Sequence, residues 1–249
     1  MQNPIRALIA ACTVAFVSGC AHAPAEEPRD PLEPVNRVVY KFNDTADRYI
    51  LHPVAKEYVA IAPQPIRTGV NNFLSNLTYP KTIVNDLFQA KFTQSAADLC
   101  RLLLNSTAGI GGILDVATDT GLPKHNEDFG QTLGRWGIGE GWYLMLPLFG
   151  PSTTRDAIGL LVDRPTNPTF WLDGDHDWLT WSISAVSAVN LRANLLDADN
   201  ILEQQLDRYL FIRTAYLQQR QSSIYDGNPP AEDYNYDVPD DSGSGGSKK

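Results

Sequence analysis

The sequence predicts an all-α fold, built as a single helical domain with frequent breaks. Hydrophobic residues recur at three- and four-residue steps over several stretches, which is the period of an α-helix. Alternating strand patterns are scarce, and 18 glycines and 17 prolines interrupt the helical periods. Without its N-terminal targeting segment, the chain is long enough for one domain of about 200 residues with its own core.

The first predicted helix begins near residue 30. Asp30-Pro31-Leu32-Glu33 is typical of a helix start, with the aspartate as cap and a glutamate three residues later. A stripe of apolar residues follows at helical spacing, formed by Val35, Val38, Val39, Phe42, Ala46, Tyr49 and Ile50.

Three further helices follow from the same kind of pattern. Residues 99–104 form a second stripe after a cap at Thr93 or Ser95, and Cys100 within it is predicted to be a small core residue. A third helix is expected to start at Ser152 and to end before the prolines at 165 and 168. A long helix is predicted over residues 202–217.

Residues 129–151 form the most unusual segment, because they are rich in both glycine and large apolar side chains. Glycine at this density disfavours a helix, whereas the apolar content is wrong for a solvated loop. Two interpretations stay open: a loop buried against the core, or an element that contacts lipid or lines a pore.

The N-terminus has the features of a bacterial lipoprotein signal. Residues 1–19 carry an apolar stretch shorter than a membrane-spanning helix, followed by small residues and Cys20. Cys20 is therefore the expected lipidation site, with an ordinary secretory signal as the alternative. Ala21 after this cysteine favours delivery to the outer membrane of a bacterium with two membranes. Stable attachment requires more than one acyl chain, and a typical lipoprotein carries three.

These patterns divide the chain into four parts. Residues 1–19 are the signal peptide, 20–29 a lipidated tether, 30–225 the helical domain and 226–249 an acidic tail expected to be disordered.

Composition excludes several classes of partner and cofactor. The formal net charge is −9 and no basic patch is present, which argues against nucleic-acid binding. After the signal and Cys20, Cys100 is the only cysteine left, so no internal disulfide is expected. No segment of the mature chain approaches transmembrane length.

We find no catalytic or metal-binding signature, and the chain is therefore predicted to be neither an enzyme nor a cofactor protein. Asp173, Asp175 and Asp177 begin like a calcium loop, but Trp178 replaces the required glycine. The four histidines are dispersed and give no zinc spacing. Ser152 is the remaining candidate nucleophile, and it has no obvious histidine partner.

An ordered series of motifs resembles the MlaA (VacJ) family of outer-membrane lipoproteins, over about residues 30–225. The similar motifs are Asp30-Pro-Leu-Glu-Pro-Val-Asn-Arg-Val-Val-Tyr-Lys-Phe-Asn43, Pro53-Val-Ala-Lys-Glu-Tyr58, Val84-Asn-Asp-Leu-Phe-Gln89, residues 101–117, Asp128-Phe-Gly-Gln-Thr-Leu-Gly134, residues 146–156 and Tyr209-Leu-Phe-Ile-Arg-Thr-Ala-Tyr216.

The resemblance implies a helical ring in the inner leaflet of the outer membrane, with a central amphipathic channel. It implies that mislocalised phospholipid is taken from the outer leaflet and passed to a periplasmic lipid-carrier protein, with an outer-membrane porin trimer as neighbour. No cofactor is implied. Candidates for shaping or gating the passage are Phe42, Asn43, Trp136, Gly137, Gly139 and Tyr143.

The sequence is also compatible with two other functions. One is an envelope phospholipase or acyltransferase that uses Ser152, and the other is a passive scaffold lipoprotein. Arg155 and Asp156 are more readily explained as a structural pair than as contacts to a lipid headgroup.

Overall fold

A computed structural model describes residues 30–171 and 177–230, so the signal segment, Cys20, the tether, the calcium-like aspartates at 173 and 175 and most of the tail lie outside it. The described residues are mostly helical, which confirms the predicted class, and they add one two-stranded antiparallel hairpin. The elements in chain order are α1 (Glu33–Ala46), a π-helical turn (Asp47–Leu51), α2 (His52–Ile61), α3 (Gln64–Phe88), α4 (Phe92–Thr107), α5 (Val116–Asp119), α6 (Phe129–Arg135), β1 (Tyr143–Leu146), β2 (Gly150–Thr153), α7 (Thr154–Asp163), short 3-10 turns (Arg164–Thr166, Pro168–Trp171), α8 (Asp177–Asn194), a further 3-10 turn (Leu196–Ala198), α9 (Asp199–Glu203) and α10 (Arg208–Ile224).

The predicted cap of α1 is wrong. The position before α1 is Leu32, which makes no capping hydrogen bond through its side chain. The carboxylate of Asp30 is instead buried, and it accepts hydrogen bonds from Asn36, Tyr209 and Arg213. A charge withdrawn from water needs several donors, and these three hold the start of α1 against α10.

Other predicted boundaries also shift. α4 begins after Lys91 without a side-chain cap, so neither Thr93 nor Ser95 serves as one. α7 begins at Thr154, and its cap is Thr153, whose hydroxyl accepts a hydrogen bond from the amide of Asp156. The long helix expected over 202–217 is two helices, because the chain breaks after α9 and Asp207 caps α10.

The helices pack in a closed circuit. α1 continues through the π-helical turn into α2, which packs against α8, and α8 packs against α3. α3 contacts α6, α6 packs against α10, and α10 reaches β2, whose partner strand β1 contacts α1. α4 lies against α3, and α7 against α6.

The burial pattern of the helices is inverted relative to that of a water-soluble protein. Buried polar and charged residues far outnumber buried hydrophobic ones in the described ranges, and many large hydrophobic side chains are exposed. On α4 the buried face is formed by Ser95, Asp98, Arg101 and Asn105. Cys100 is exposed on that helix, so its predicted core position is wrong.

Among the described residues, none of the helices combines the length and the hydropathy needed to cross a membrane. The hydrophobic side chains are spread over the outer faces of several amphipathic helices instead.

Candidate functional site

The glycine-rich segment 129–151 begins with a helix, α6, which the glycine content was expected to prevent. Gly130 and Gly134 permit close packing here. A Cβ atom on Gly130 would lie 2.4 Å from an Asp156 carboxylate oxygen, and one on Gly159 would lie 2.5 Å from the backbone nitrogen of Gly130. α6 and α7 therefore cross at a contact that only glycine allows.

The segment then turns back on itself in the β1–β2 hairpin, which pairs Tyr143 with Thr153 and Leu146 with Gly150. Tyr143 and Met145 point into the small hydrophobic core, where they meet Tyr209. The Tyr143 side chain is only 1% exposed, so it is part of this core. Burial also raises the pKa of its hydroxyl well above the usual value.

Two asparagines attach α1 to this hairpin. The Asn36 side chain donates to the carbonyl of Tyr143 (3.0 Å) and accepts from the amide of Met145 (2.9 Å). Asn43 repeats the pattern with the carbonyl of Leu146 (2.9 Å) and the amide of Leu148 (2.8 Å). The two asparagines are seven residues apart on α1, which corresponds to a rise of about 10 Å. Their partners are three residues apart along the hairpin, which also spans about 10 Å, so the two spacings match.

Trp136 lies at the end of α6 in an aromatic cluster with Phe88 and Phe129. Its ring is edge-on to both, at centroid distances of 6.4 and 5.9 Å, and its indole N–H donates to the carbonyl of Phe88. The side chain is nevertheless 54% exposed. It is fixed in position while much of its apolar surface stays uncovered.

Gly137 and Gly139 follow in an exposed stretch. Gly137 adopts a φ of +86°, which favours glycine strongly. A Cβ atom on Gly139 would meet nothing within 4 Å, so there is open space at this position.

Large apolar side chains are exposed on α1 and along residues 136–149. Phe42 is 54% exposed on α1, whereas Asn43 beside it is engaged with the hairpin. Exposed apolar side chains on these two elements are Val35, Val38, Phe42, Trp136, Ile138, Trp142, Leu148 and Phe149. An apolar surface of this extent requires a lipid or protein cover.

Arg220 on α10 connects the start of α6 with α7. Its guanidinium makes two hydrogen bonds to Asp128 (2.6 and 2.9 Å) and two to Asp156 (2.8 and 3.0 Å), and Tyr216 also donates to Asp156. The hydrogen bonds to Arg220 hold the pKa of both carboxylic acids below the usual value, against the opposing effect of burial. Asp156 is therefore a structural residue, as its sequence context favoured.

A buried acid pair lies near the junction of α3 and α4. Asp86 and Asp98 are both fully buried, and one carboxyl oxygen of Asp86 has no hydrogen-bond partner among the described residues. Burial, and to a smaller extent the neighbouring carboxyl group of Asp98, raises the pKa of Asp86 to about 8. Gln94 donates to Asp86, and a ring nitrogen of His125 lies 3.1 Å from Asp98.

The chemistry expected of a hydrolase is not assembled around Ser152. This residue is buried, and its hydroxyl donates to the carbonyl of Thr153. Across the described ranges no histidine forms a hydrogen bond with it, and no group of three potential metal ligands comes together.

The structure brings Asn43 to the hairpin and leaves Phe42, Trp136, Gly137 and Gly139 exposed, but it places Tyr143 in the core. Sequence reasoning missed Asn36, Arg220 and Gly159. Asn36 had a detectable signal, because it stands seven residues before Asn43 on the same helix face.

Helices with buried polar faces and uncovered hydrophobic ones define a class of protein whose apolar surfaces are covered by lipid or by another protein. The MlaA lipoprotein family model matches residues 28–223. The chain belongs to this family.

Curated relatives agree with this assignment. The intermembrane phospholipid transport system lipoprotein MlaA of Escherichia coli (strain K12) is 37% identical over 210 residues, which cover 80% of this chain and 81% of that protein. The protein of the same description from Haemophilus influenzae is 32% identical over 227 residues, which cover 88% of this chain and 90% of that protein. A solved structure described as "Structural basis for maintenance of bacterial outer membrane lipid asymmetry" matches with a TM-score of 0.70 and 35% identity, over 80% of this chain and 99% of that one.

Proposed function

We propose that this chain is the lipoprotein of an intermembrane phospholipid transport system and that it maintains the lipid asymmetry of the outer membrane. As a member of the MlaA family it is a transport lipoprotein and not an enzyme. The descriptions of its relatives name this system, and the chain covers about four-fifths of their length.

The observation that carries the proposal is the inverted burial of the helices. A phospholipid has apolar tails and a charged headgroup, so a protein that moves it must offer both kinds of surface. The uncovered apolar faces of α1 and of residues 136–149 can meet acyl chains. The buried polar network holds those faces in place without a large hydrophobic core.

In the finer form of this proposal, the protein takes misplaced phospholipid from the outer leaflet and passes it to a periplasmic carrier protein. It is anchored to the outer membrane through Cys20 and lies beside a porin trimer. A central channel through the helical circuit carries the lipid, and Phe42, Asn43, Trp136, Gly137 and Gly139 shape or gate it. Tyr143 supports the channel wall from within the core.

A strain that lacks this gene tests the proposal. We expect phospholipid to accumulate in the outer leaflet of that strain and to return to the normal level when the intact gene is restored. The measurement is the fraction of phospholipid accessible to an enzyme or label that acts only from outside the cell. A normal outer leaflet in the deletion strain would contradict the proposed function.

Substitution at Gly139 separates transport from a passive scaffold role. Because a Cβ atom at Gly139 would meet nothing within 4 Å, Gly139→Trp adds bulk at an open position, and Gly139→Ala is the matched control. We expect the tryptophan variant to leave phospholipid in the outer leaflet and the alanine variant to complement fully. If both variants complement at equal protein levels, the segment does not form part of a passage.

A further inference from the structure

A groove of about 600 Å³ lies between α1 and the segment that joins α9 to α10. None of the candidate passage residues lines it. Its walls carry three basic and three acidic side chains beside aromatic and apolar groups.

Half of the charges in the groove are already paired. Asp44 binds Arg48 at 3.0 Å, outside the groove. Asp207 binds Arg37 at 2.8 Å, and Arg37 is held on its other side by Glu33 at 2.7 Å.

Three charged side chains of the groove have no such partner. Lys41, Arg208 and Glu203 form no ion pair with any residue in the described ranges. The groove therefore offers two free cations and one free carboxylate to a ligand.

The floor of the groove is rigid. The Arg37 guanidinium stacks over the ring of Tyr209 at 4.5 Å from its centroid, and Tyr209 is buried. Asp207 caps α10 by accepting a hydrogen bond from the amide of Leu210. The start of α10, where Arg208 lies, is thus fixed before any ligand arrives, which lowers the entropy cost of binding.

An apolar side chain stands at the groove beside these charges. Leu206 is fully exposed and belongs to the groove lining. Free charges of both signs next to an uncovered leucine match an amphiphile whose polar end carries a positive and a negative group.

We propose that this groove binds the headgroup of a zwitterionic phospholipid. Lys41 and Arg208 contact the phosphate, Glu203 contacts the ammonium group, and Leu206 lies against the apolar part of the molecule. Phosphate is a preferred ligand of lysine and arginine. Three cations and three carboxylates leave the groove without net charge, so a lipid with a net negative headgroup has no electrostatic advantage.

This inference rests on the proposed transport function and adds a site and a class of headgroup to it. The test uses the full lipidated protein extracted from its own membrane in mild detergent. Bound phospholipids are quantified by mass spectrometry and compared with the lipid composition of that membrane.

We expect phosphatidylethanolamine to be enriched over phosphatidylglycerol on the wild-type protein. Glu203→Gln should abolish this enrichment, because it removes the partner of the ammonium group. Lys41→Gln combined with Arg208→Gln should lower total bound phospholipid about tenfold, since both charge-assisted contacts to phosphate are lost. Lys56→Gln and Glu57→Gln are matched controls, because both residues are exposed on α2 and have no ion pair among the described residues.

The outcomes separate the two proposals. A wild-type protein without bound phospholipid would overturn the transport function and this site with it. Bound phospholipid that is indifferent to the groove variants, or enrichment of phosphatidylglycerol, would overturn the groove assignment alone.

Soluble glycerophosphoethanolamine is added as a competitor: displacement at the same concentration as the lipid would show that a free phosphodiester is recognised instead. Circular dichroism verifies that each variant is folded, and the exposed Glu203→Gln change tests headgroup selectivity by itself.

Discussion

Single polar residues hold this protein together, and Asn36 is the clearest case. Asn36→Ala would leave the buried carbonyl of Tyr143 and the amide of Met145 without partners. We expect it to lower the free energy of unfolding by about 3 kcal/mol. Asn43→Ala removes the same two kinds of hydrogen bond at a more exposed position and should cost about 1 kcal/mol.

Urea denaturation followed by far-ultraviolet circular dichroism measures both values. Equal losses in the two variants would mean that burial does not determine the cost, and no loss in either would contradict the role of the asparagines in attaching the hairpin.

Asp86 should make stability depend on pH. Its pKa in the folded protein is about 8, because of burial and the neighbouring carboxyl group of Asp98, with Glu127 contributing in the same direction. The folded state therefore retains a proton that the unfolded state releases near pH 4. Stability from this group is complete below pH 4 and is lost as the pH rises towards 8, by up to about 1.4 kcal/mol per pH unit.

Asp86→Asn keeps the side chain neutral at every pH, so it should flatten the fall in stability between pH 5 and 8. Asp128 is the matched contrast, because hydrogen bonds and the charge of Arg220 lower its pKa. The contribution of Asp128 to stability is therefore complete above pH 4 and is lost only on acidification. The test is to measure urea unfolding midpoints between pH 5 and 8 for the wild type and for Asp86→Asn. If the midpoint falls with pH as steeply in Asp86→Asn as in the wild type, Asp86 is not the cause of the pH dependence.

The residue scale also shows what sequence patterns cannot supply. The spacing of Asp30 and Glu33 fits a capping box, yet the carboxylate of Asp30 bonds to Tyr209 and Arg213 near the other end of the chain. Local spacing predicts local hydrogen bonds. It carries no information on partners about 180 residues away.

Among the elements, the crossing of α6 and α7 depends on glycine. Gly159→Ala would place a Cβ atom 2.5 Å from the backbone nitrogen of Gly130, which no side-chain rotation relieves. We expect a loss of about 3 kcal/mol in the free energy of unfolding, because the two helices must separate. Gly139→Ala is the control, since its Cβ would meet nothing, and it should change stability by less than about 1 kcal/mol.

The same denaturation experiment compares the two glycine variants. A Gly159→Ala protein as stable as the Gly139→Ala protein would show that the helices can shift apart without cost.

This crossing explains why residues 129–151 were only partly predictable. Glycine was treated as a residue that disfavours helices, which is correct for an isolated helix. Packing between helices can outweigh that preference, and the neighbour that requires it, Gly159, lies outside the segment. The apolar and bent character of the remainder was correctly predicted, and it corresponds to the exposed stretch and the hairpin.

At the scale of the whole molecule, the helical class and the amphipathic stripes followed from periodicity, but their orientation did not. An apolar stripe on a helix, such as the one on α1, normally faces the hydrophobic core of the protein. Here Val38 and Phe42 are exposed and Asn36 is buried, because α1 is joined to the hairpin and to α10 by polar side chains. Sequence periodicity identifies two faces of a helix and does not say which one meets lipid.

This orientation would give the proposed lipid anchor at Cys20 a role beyond localisation. Three acyl chains on Cys20 would hold the exposed apolar faces at one depth of the membrane and in one orientation. A Cys20→Ala protein, exported without its lipid, should retain the fold because the helices of the described ranges pack on one another, but it should lose most of its phospholipid-removing activity. The readout is outer-leaflet phospholipid in a deletion strain that expresses the variant at the wild-type level, with helical content verified by circular dichroism. Full activity from the unlipidated protein would mean that the apolar faces find the membrane without the anchor.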